Sequence, residues 1–419
     1  TLDLLADGNP GFLTRIDNGL GKTTTLRYRG MGFMRGEARA HNLSWDKRCP
    51  IGMMMLSEID QSDGLGNVLS SKIRYADAYY DGRRREFRGF AKSLRTELGD
   101  SEQPALVSIK TYDVGDIDEA RKGLPITAAT ATPEGSIFER VTHTHAVKTL
   151  DEGRLGLQTG VPLRFAFTTE KRREVFEGGD TPVEILERFT YDDYGNVLRH
   201  EEWGVVDGEN LLAGSDERVT VRQFAINESA WILRGAFSQE VQDINGTRMS
   251  MSRSYFDNQP LGQVGNRGLV TKAESWIEGD HFGLDSETQY SSAGNPVTLL
   301  DARGGRTIIE FDETHTFAIA GERTIDGERS LRFGARYDTG LGVMSASSDA
   351  NGVESVFQHD DLGRLTAVIS PGDTEEFPTK RYDYSLGAPI SHIRTATREK
   401  AGQPGEIVSI AYVDGMGRG

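Results

Sequence analysis

One phrase of sequence occurs twice in the last third of the chain, and it limits the available folds more than any other feature. Asp301-Ala302-Arg303-Gly304 leads into Thr307-Ile308-Ile309-Glu310-Phe311 and ends at Asp312. Asp349-Ala350-Asn351-Gly352 leads into Ser355-Val356-Phe357-Gln358-His359 and ends at Asp360. The first and last Asp are eleven positions apart in both copies (312 − 301 = 360 − 349 = 11), and Gly294 and Gly342 each stand seven positions upstream. Asp361-Leu362-Gly363-Arg364 closes the second copy. Asp and Gly favour tight turns, because Asp hydrogen-bonds its own backbone and Gly reaches positive φ without strain. Each copy is therefore a turn, a strand carrying an aromatic, and another turn. A lone hairpin cannot bury a face, so such units must join into a larger sheet.

The same grammar runs upstream. Asp17-Asn18-Gly19 precedes the strand-like Thr23-Thr24-Thr25-Leu26-Arg27-Tyr28. Asp63-Gly64-Leu65-Gly66-Asn67 precedes Ile73-Arg74-Tyr75. The run Glu184 to Tyr191 is closed by Asp192-Asp193-Tyr194-Gly195-Asn196. Glycine supplies 49 of 419 residues, well above the usual share of about 7%, and it is spread along the chain as many turns would require. Amphipathic helical periodicity is nearly absent. These patterns predict an all-β fold of consecutive antiparallel hairpins. The mean hydropathy of −0.48 suits a sheet wetted on both faces.

Composition narrows the function. A net charge of −16 repels phosphate backbones and argues against nucleic-acid binding, the short Arg83-Arg84-Arg85 cluster notwithstanding. Cys49 is the only cysteine, so the chain has no internal disulfide and no cysteine-based metal site. No stretch reaches the roughly 18 apolar residues of a membrane-spanning helix. Gly19-Leu20-Gly21-Lys22-Thr23-Thr24 lacks the phosphate-loop glycine, since Ile16 holds that position; it reads as a turn into a Thr-rich strand. His143 and His145 share a strand face but have no third metal ligand nearby. Asp60, Asp63 and Asp81 read as turn residues without calcium-loop spacing. In Arg85-Glu86-Phe87-Arg88, alternation puts Arg85 with Phe87 and Glu86 with Arg88, as in a cross-strand ion-pair ladder. No local motif supports a nucleophile, a general base or a cofactor site.

Several segments resemble a known family. Phe357-Gln358-His359-Asp360-Asp361-Leu362-Gly363-Arg364 and Tyr191-Asp192-Asp193-Tyr194-Gly195-Asn196 are similar to the YD repeat of bacterial RHS proteins. Leu13 to Gly21 and Asp63 to Asn67, followed by Tyr79-Tyr80-Asp81 and Arg85-Glu86-Phe87-Arg88-Gly89-Phe90, resemble the middle region of Tc-toxin B components and SpvB-like proteins. Tyr255-Phe256-Asp257, Leu261-Gly262-Gln263 and Gly268-Leu269-Val270-Thr271 look like its next landmark. The resemblance implies a large curved or spiralling β-sheet shell, of which this chain is a non-catalytic, secreted piece that needs no cofactor. Its implied partners are the remainder of the same polypeptide, a C-type RHS chain or domain, an enclosed toxin cargo and a pore-forming A-type component, with no nucleic acid and no direct membrane insertion. It also divides the chain into 1–95 (the N-terminal part of that middle region), 96–285 (a continuing shell region with one YD-like motif) and 286–419 (hairpin repeats). Two other readings remain open: an extracellular carbohydrate- or receptor-binding β module, and a β-solenoid enzyme acting on polysaccharide.

Overall fold

The computed structural model describes residues 11–40, 45–100, 103–151, 162–176, 179, 181–213, 216–325 and 329–419. These carry 26 strands, one helix and one short 3-10 turn. Every described pairing between strands is antiparallel and joins sequence neighbours. The chain forms two compact units, one of residues 1–219 with 414–418, the other of residues 220–413 with Gly419.

The first unit runs Arg15–Asp17, Thr23–Gly30, Met54–Ser62, Val68–Asp81, Glu86–Glu97, Leu106–Tyr112, Pro125–Ala131, Ile137–Asp151, Leu163–Val175, Val183–Tyr191 and Val197–Val206, each strand paired with the next. Sequence alone missed the helix Met31–Ala40. Its buried residues Met34 and Ala38 lie four apart on one helical face. Arg29 stacks on its Phe33, 4.4 Å from the ring centroid, and its Glu37 meets Arg74 at 3.4 Å. The apolar stripe is too short to stand out, and Gly32 and Gly36 hide it further.

The second unit repeats the scheme with shorter strands. From Ile232–Gln242 each strand pairs with its successor, through Arg248–Phe256, Val270–Glu278, His281–Tyr290, Pro296–Asp301, Arg306–Phe311, Ala318–Thr324, Ser330–Asp338, Val343–Ser348, Glu354–His359, Leu365–Ile369 and Lys380–Ser385 to Ile390–Arg398. Its small core joins Phe256, Ala225 and Val264 with Ile232 and Phe237.

Burial explains why strict alternation of polar and apolar residues is weak. Along Val197–Val206 every residue but the last is half-buried, whichever face it points to. A sheet packed on one side would alternate buried and exposed positions. Residues on both faces here keep contact with water. Most buried apolar side chains are small, among them Ala76, Ala78, Ala91, Ala131, Ala225, Ala346, Ala367 and Ala396.

Candidate functional site

The turns share one construction. In Asp301-Ala302-Arg303-Gly304-Gly305 the Asp301 carboxylate accepts the N–H of Arg303 at 2.9 Å and of Gly305 at 2.8 Å. The Asp301 N–H donates to the Gly305 carbonyl at 2.9 Å, and the Gly304 N–H donates back to Asp301 at 3.0 Å, with Gly304 at φ 80°. Asp63, Asp192, Asp349, Asp360 and Asp414 open turns of the same kind, with Gly66, Gly195, Gly352, Gly363 and Gly417 at positive φ. The carboxylate does the work of a backbone acceptor, and the glycine supplies the left-handed corner.

Two of these turns differ from the sequence expectation. At Asp17-Asn18-Gly19 the capping residue is Asn18, whose Oδ1 accepts the N–H of Leu20 and of Lys22 at 2.9 Å each. Asp17 ends the preceding strand, and its carboxylate accepts one backbone N–H, from Gly19 at 2.8 Å, and pairs with Arg15 at 3.6 Å. Asp312 closes one repeat but also opens a turn of its own. That turn is one residue longer, ending at Phe317, and His315 takes the left-handed position at φ 57°.

In the first unit three turns meet. The Asn18 amide donates to the Gly415 carbonyl at 2.9 Å, and Arg418 reaches Asp63 at 2.7 Å. The hydrogen bond from the Asn67 side chain, the N–H groups of Leu65 and Asn67, and Arg418 hold the Asp63 carboxyl at about 2, against the opposing effect of burial.

The Tyr79–Phe90 segment is a hairpin built around Arg88. Tyr80 pairs with Phe87 and Ala78 with Phe90, so Arg88 and Gly89 together oppose Tyr79. This is a β-bulge, with Gly89 at φ 95°, and bulges re-aim side chains. The Arg88 side chain is 2% exposed and reaches Asp81 at 2.5 Å, and Glu86 and Glu119 at 3.3 Å each. It also donates to the Gly115 carbonyl at 2.7 Å. Burial raises the Asp81 carboxyl, but the N–H groups of Arg84 and Arg83 and the charge of Arg88 outweigh it and leave it below the ordinary value. Lys122 meets Glu86 at 2.8 Å, and Arg84 pairs with Glu119. Arg164 holds Asp118 through two bonds of 2.6 and 2.7 Å. The segment 113–124 is thereby clamped over the hairpin. Glu86 and Arg88 do meet, as alternation implies. Arg85 does not share a strand face with Phe87, because it sits in the turn at φ 56° and the strand begins at Glu86. Asp60 is likewise no turn residue; it lies within Met54–Ser62 and binds Arg27 and Ser70.

Sequence reading missed Gly115, Asp118, Glu119 and Lys122. No motif marks them, and only the return of segment 113–124 brings Gly115 and Glu119 to Arg88, Lys122 to Glu86 and Asp118 to Arg164.

The landmark residues 255–271 also come together. The Asp257 carboxylate accepts the N–H of Arg267, Gly268 and Leu269 at 3.1, 2.8 and 2.9 Å, and Thr271 accepts the N–H of Asn258 at 3.0 Å. Leu261, Gly262 and Gln263 lie in the loop so closed. His143 and His145 stack with centroids 6.0 Å apart, but His145 is bound to the Pro125 carbonyl at 2.6 Å and to Thr168 at 3.2 Å. Among the described residues no group of three or more His, Cys, Asp or Glu side chains is placed to hold a metal ion. No helix among them is long and apolar enough to cross a membrane.

Runs of antiparallel hairpins of this kind recur in solved toxin-complex structures. The chain superposes over 97% of its length on the crystal structure of TcdB2-TccC3-Cdc42, with a TM-score of 0.79 at 13% identity. The crystal structure of TcdB2-TccC3 (0.77, 15% identity) and a Photorhabdus luminescens Tc holotoxin pore (0.77, 14% identity) are matched over the same share. The chain spans 31%, 29% and 30% of those three chains. Residues 5–117 match the family model described as the insecticide toxin TcdB middle/N-terminal region. Over residues 5–117 the chain is thus similar to that region, and over 97% of its length it shares the fold of the toxin-complex structures. No curated protein matches the chain.

Proposed function

We propose that this chain is a non-catalytic structural segment of a bacterial toxin-complex shell that encloses and shields a cytotoxic cargo before translocation. The observation that carries the reading is the likeness of 97% of the chain to part of TcdB2 structures, combined with strands wet on both faces. A wall between a lumen and solvent needs such strands, because neither side offers a second layer to pack against. Hairpin-to-hairpin pairing suits the task, since each strand edge is taken up by a neighbour. In this reading the division at 95 and 285 separates the B-type middle region, a continuing wall and the hairpin repeats. The partners are the rest of the polypeptide, a C-type RHS chain such as the TccC3 of the similar structures, the enclosed cargo and a pore-forming A-type component. Secretion follows from that role.

The test is protection. A polypeptide carrying this chain is co-expressed with a C-type RHS chain and treated with a broad-specificity protease. The expected result is a cargo segment that resists digestion until the shell is denatured. Cargo digested at the rate of the free segment, with both shell chains folded and bound, would overturn the proposal.

A further inference from the structure

We infer that the second unit carries a carbohydrate-binding cleft, distinct from any role in a wall. A cavity of about 650 Å³ opens between the loop after Tyr255 and the strands Val270–Glu278, His281–Tyr290, Pro296–Asp301 and Arg306–Phe311. Its size lies within the range of small-molecule sites, roughly 300–1,000 Å³. Five of its lining side chains are Asn258, Glu287, Gln289, Thr298 and Arg306. Among the described residues, none of the five uses its side chain in a hydrogen bond or ion pair within the chain. They offer two amides, a hydroxyl, a carboxylate and a guanidinium. Each amide can donate to one sugar hydroxyl and accept from its neighbour, while the carboxylate accepts from two hydroxyls and the guanidinium donates to two.

The wall of the cleft is fixed in advance. Asp257 and Asn258 are consecutive non-glycine residues in the left-handed region, at φ 52° and 57°. Such a conformation is strained and persists only where its surroundings enforce it. Here the Asp257 carboxylate binds three backbone N–H groups, and Thr271 bridges the Asn258 N–H and the Tyr255 carbonyl. Tyr255 lines the cleft with its hydroxyl bound to Glu274 at 2.9 Å. A rim fixed in advance favours binding, because its backbone does not have to rearrange when a ligand arrives. Lys272 also lines the cleft, but Glu274 pairs with it at 2.7 Å, so the remaining charges are those of Glu287 and Arg306; their balance favours an uncharged sugar over a phosphate or an acidic peptide. An open cleft of this volume suits one to a few rings of a longer glycan.

Saturation-transfer NMR on the 419-residue chain tests the inference, with maltose, cellobiose, lactose and N,N′-diacetylchitobiose as probes at millimolar concentration. Transfer to at least one probe is expected. The double variant Glu287→Gln with Gln289→Ala should weaken that binding about tenfold or more with hydrogen-exchange protection of residues 270–290 unchanged, since both side chains are exposed and neither makes a hydrogen bond within the described residues. No transfer to any probe overturns the inference, as does transfer that the double variant leaves intact. Binding of a reduced, carboxymethylated polypeptide that depends on Gln289, without any sugar binding, also overturns it and assigns the cleft to unfolded chain. The result is independent of the protease-protection experiment, so either reading can fail alone.

Discussion

Arg88→Ala tests whether one buried guanidinium organises the Tyr79–Phe90 hairpin. Its side chain is 2% exposed, and its partners differ in their access to water. Asp81 is 15% exposed, while Glu86 and Glu119 are each 40% exposed and have second cations in Lys122 and Arg84. Breaking a buried ion pair by removing one partner costs about 3–5 kcal/mol. Only Asp81 and the Gly115 carbonyl are left stranded here, which puts the loss at the lower end, about 3 kcal/mol. That is about 150-fold in a local opening equilibrium. Two compact units make a single unfolding free energy ill-defined, so the assay is native-state hydrogen exchange by mass spectrometry. Protection in peptides covering 76–90 and 113–124 should fall by about two orders of magnitude. Peptides from 232–256, in the other unit, should be unchanged. Arg88→Lys keeps the charge without the planar fork and should lose about tenfold. A folded Arg88→Ala variant whose 113–124 segment exchanges within about threefold of the parent rate would refute the clamp.

Three further outcomes follow from the turns. Asp63 has a folded-state pKa of about 2 against an ordinary 3.8, so its contribution is complete above about pH 4 and is lost as pH falls toward 2. Acid titration of the junction between residues 18–22, 63–67 and 414–418, followed by NMR, should show this loss, and Asp63→Asn should reduce it to the part carried by Asp414, whose carboxyl is also held low by the Arg418 N–H and side chain. Asn18 caps a turn with an amide oxygen, so Asp349→Asn should be nearly neutral, whereas Asp349→Ala should speed hydrogen exchange in peptides covering 343–359 about fivefold; equal effects would contradict the capping role. A Cβ at Gly415 would lie 2.3 Å from the Lys22 backbone nitrogen. Gly415→Ala should therefore cost about 1–3 kcal/mol and expose 18–22 and 414–418 to exchange; unchanged protection would mean the last turn is not docked as described.

The turns were the most legible part of the sequence because their chemistry is local. Asp301 and Gly304 carry the whole instruction within five residues, and the strands Arg306–Phe311 and Glu354–His359 follow where the pattern puts them. Errors arose where a neighbour could serve as well. At Asp17-Asn18 both side chains can accept backbone N–H groups, and only the position of Gly21, three residues after Asn18 at φ 109°, selects Asn18. At Arg85 strict alternation ignored the turn, which needs a left-handed residue just before the strand. The helix Met31–Ala40 was invisible because its burial depends on the sheet beneath it. Glu119 and Asp118 were invisible because their partners, Arg88 and Arg164, lie far away in sequence.

A sheet that is wet on both faces cannot draw much stability from large apolar side chains, and among the described residues half of the buried apolar positions are alanines. The shortfall has to be met locally. Ion pairs cross the strands of the first unit in series: Arg173 to Glu139 at 2.7 Å, Lys171 to Glu187 at 2.7 Å, Arg188 to Glu170 at 3.1 Å and Arg218 to Glu202 at 2.7 Å. Each is partly exposed and is worth roughly 0.2–1 kcal/mol. Each capped turn adds roughly 1 kcal/mol. Stability built from many small terms between neighbouring hairpins behaves like that of a repeat protein, where each unit depends chiefly on the next. Damage to one turn then opens one hairpin and leaves distant ones paired. In the wall proposed above this would matter more than a high global stability, because a local opening that recloses does not release what lies behind it.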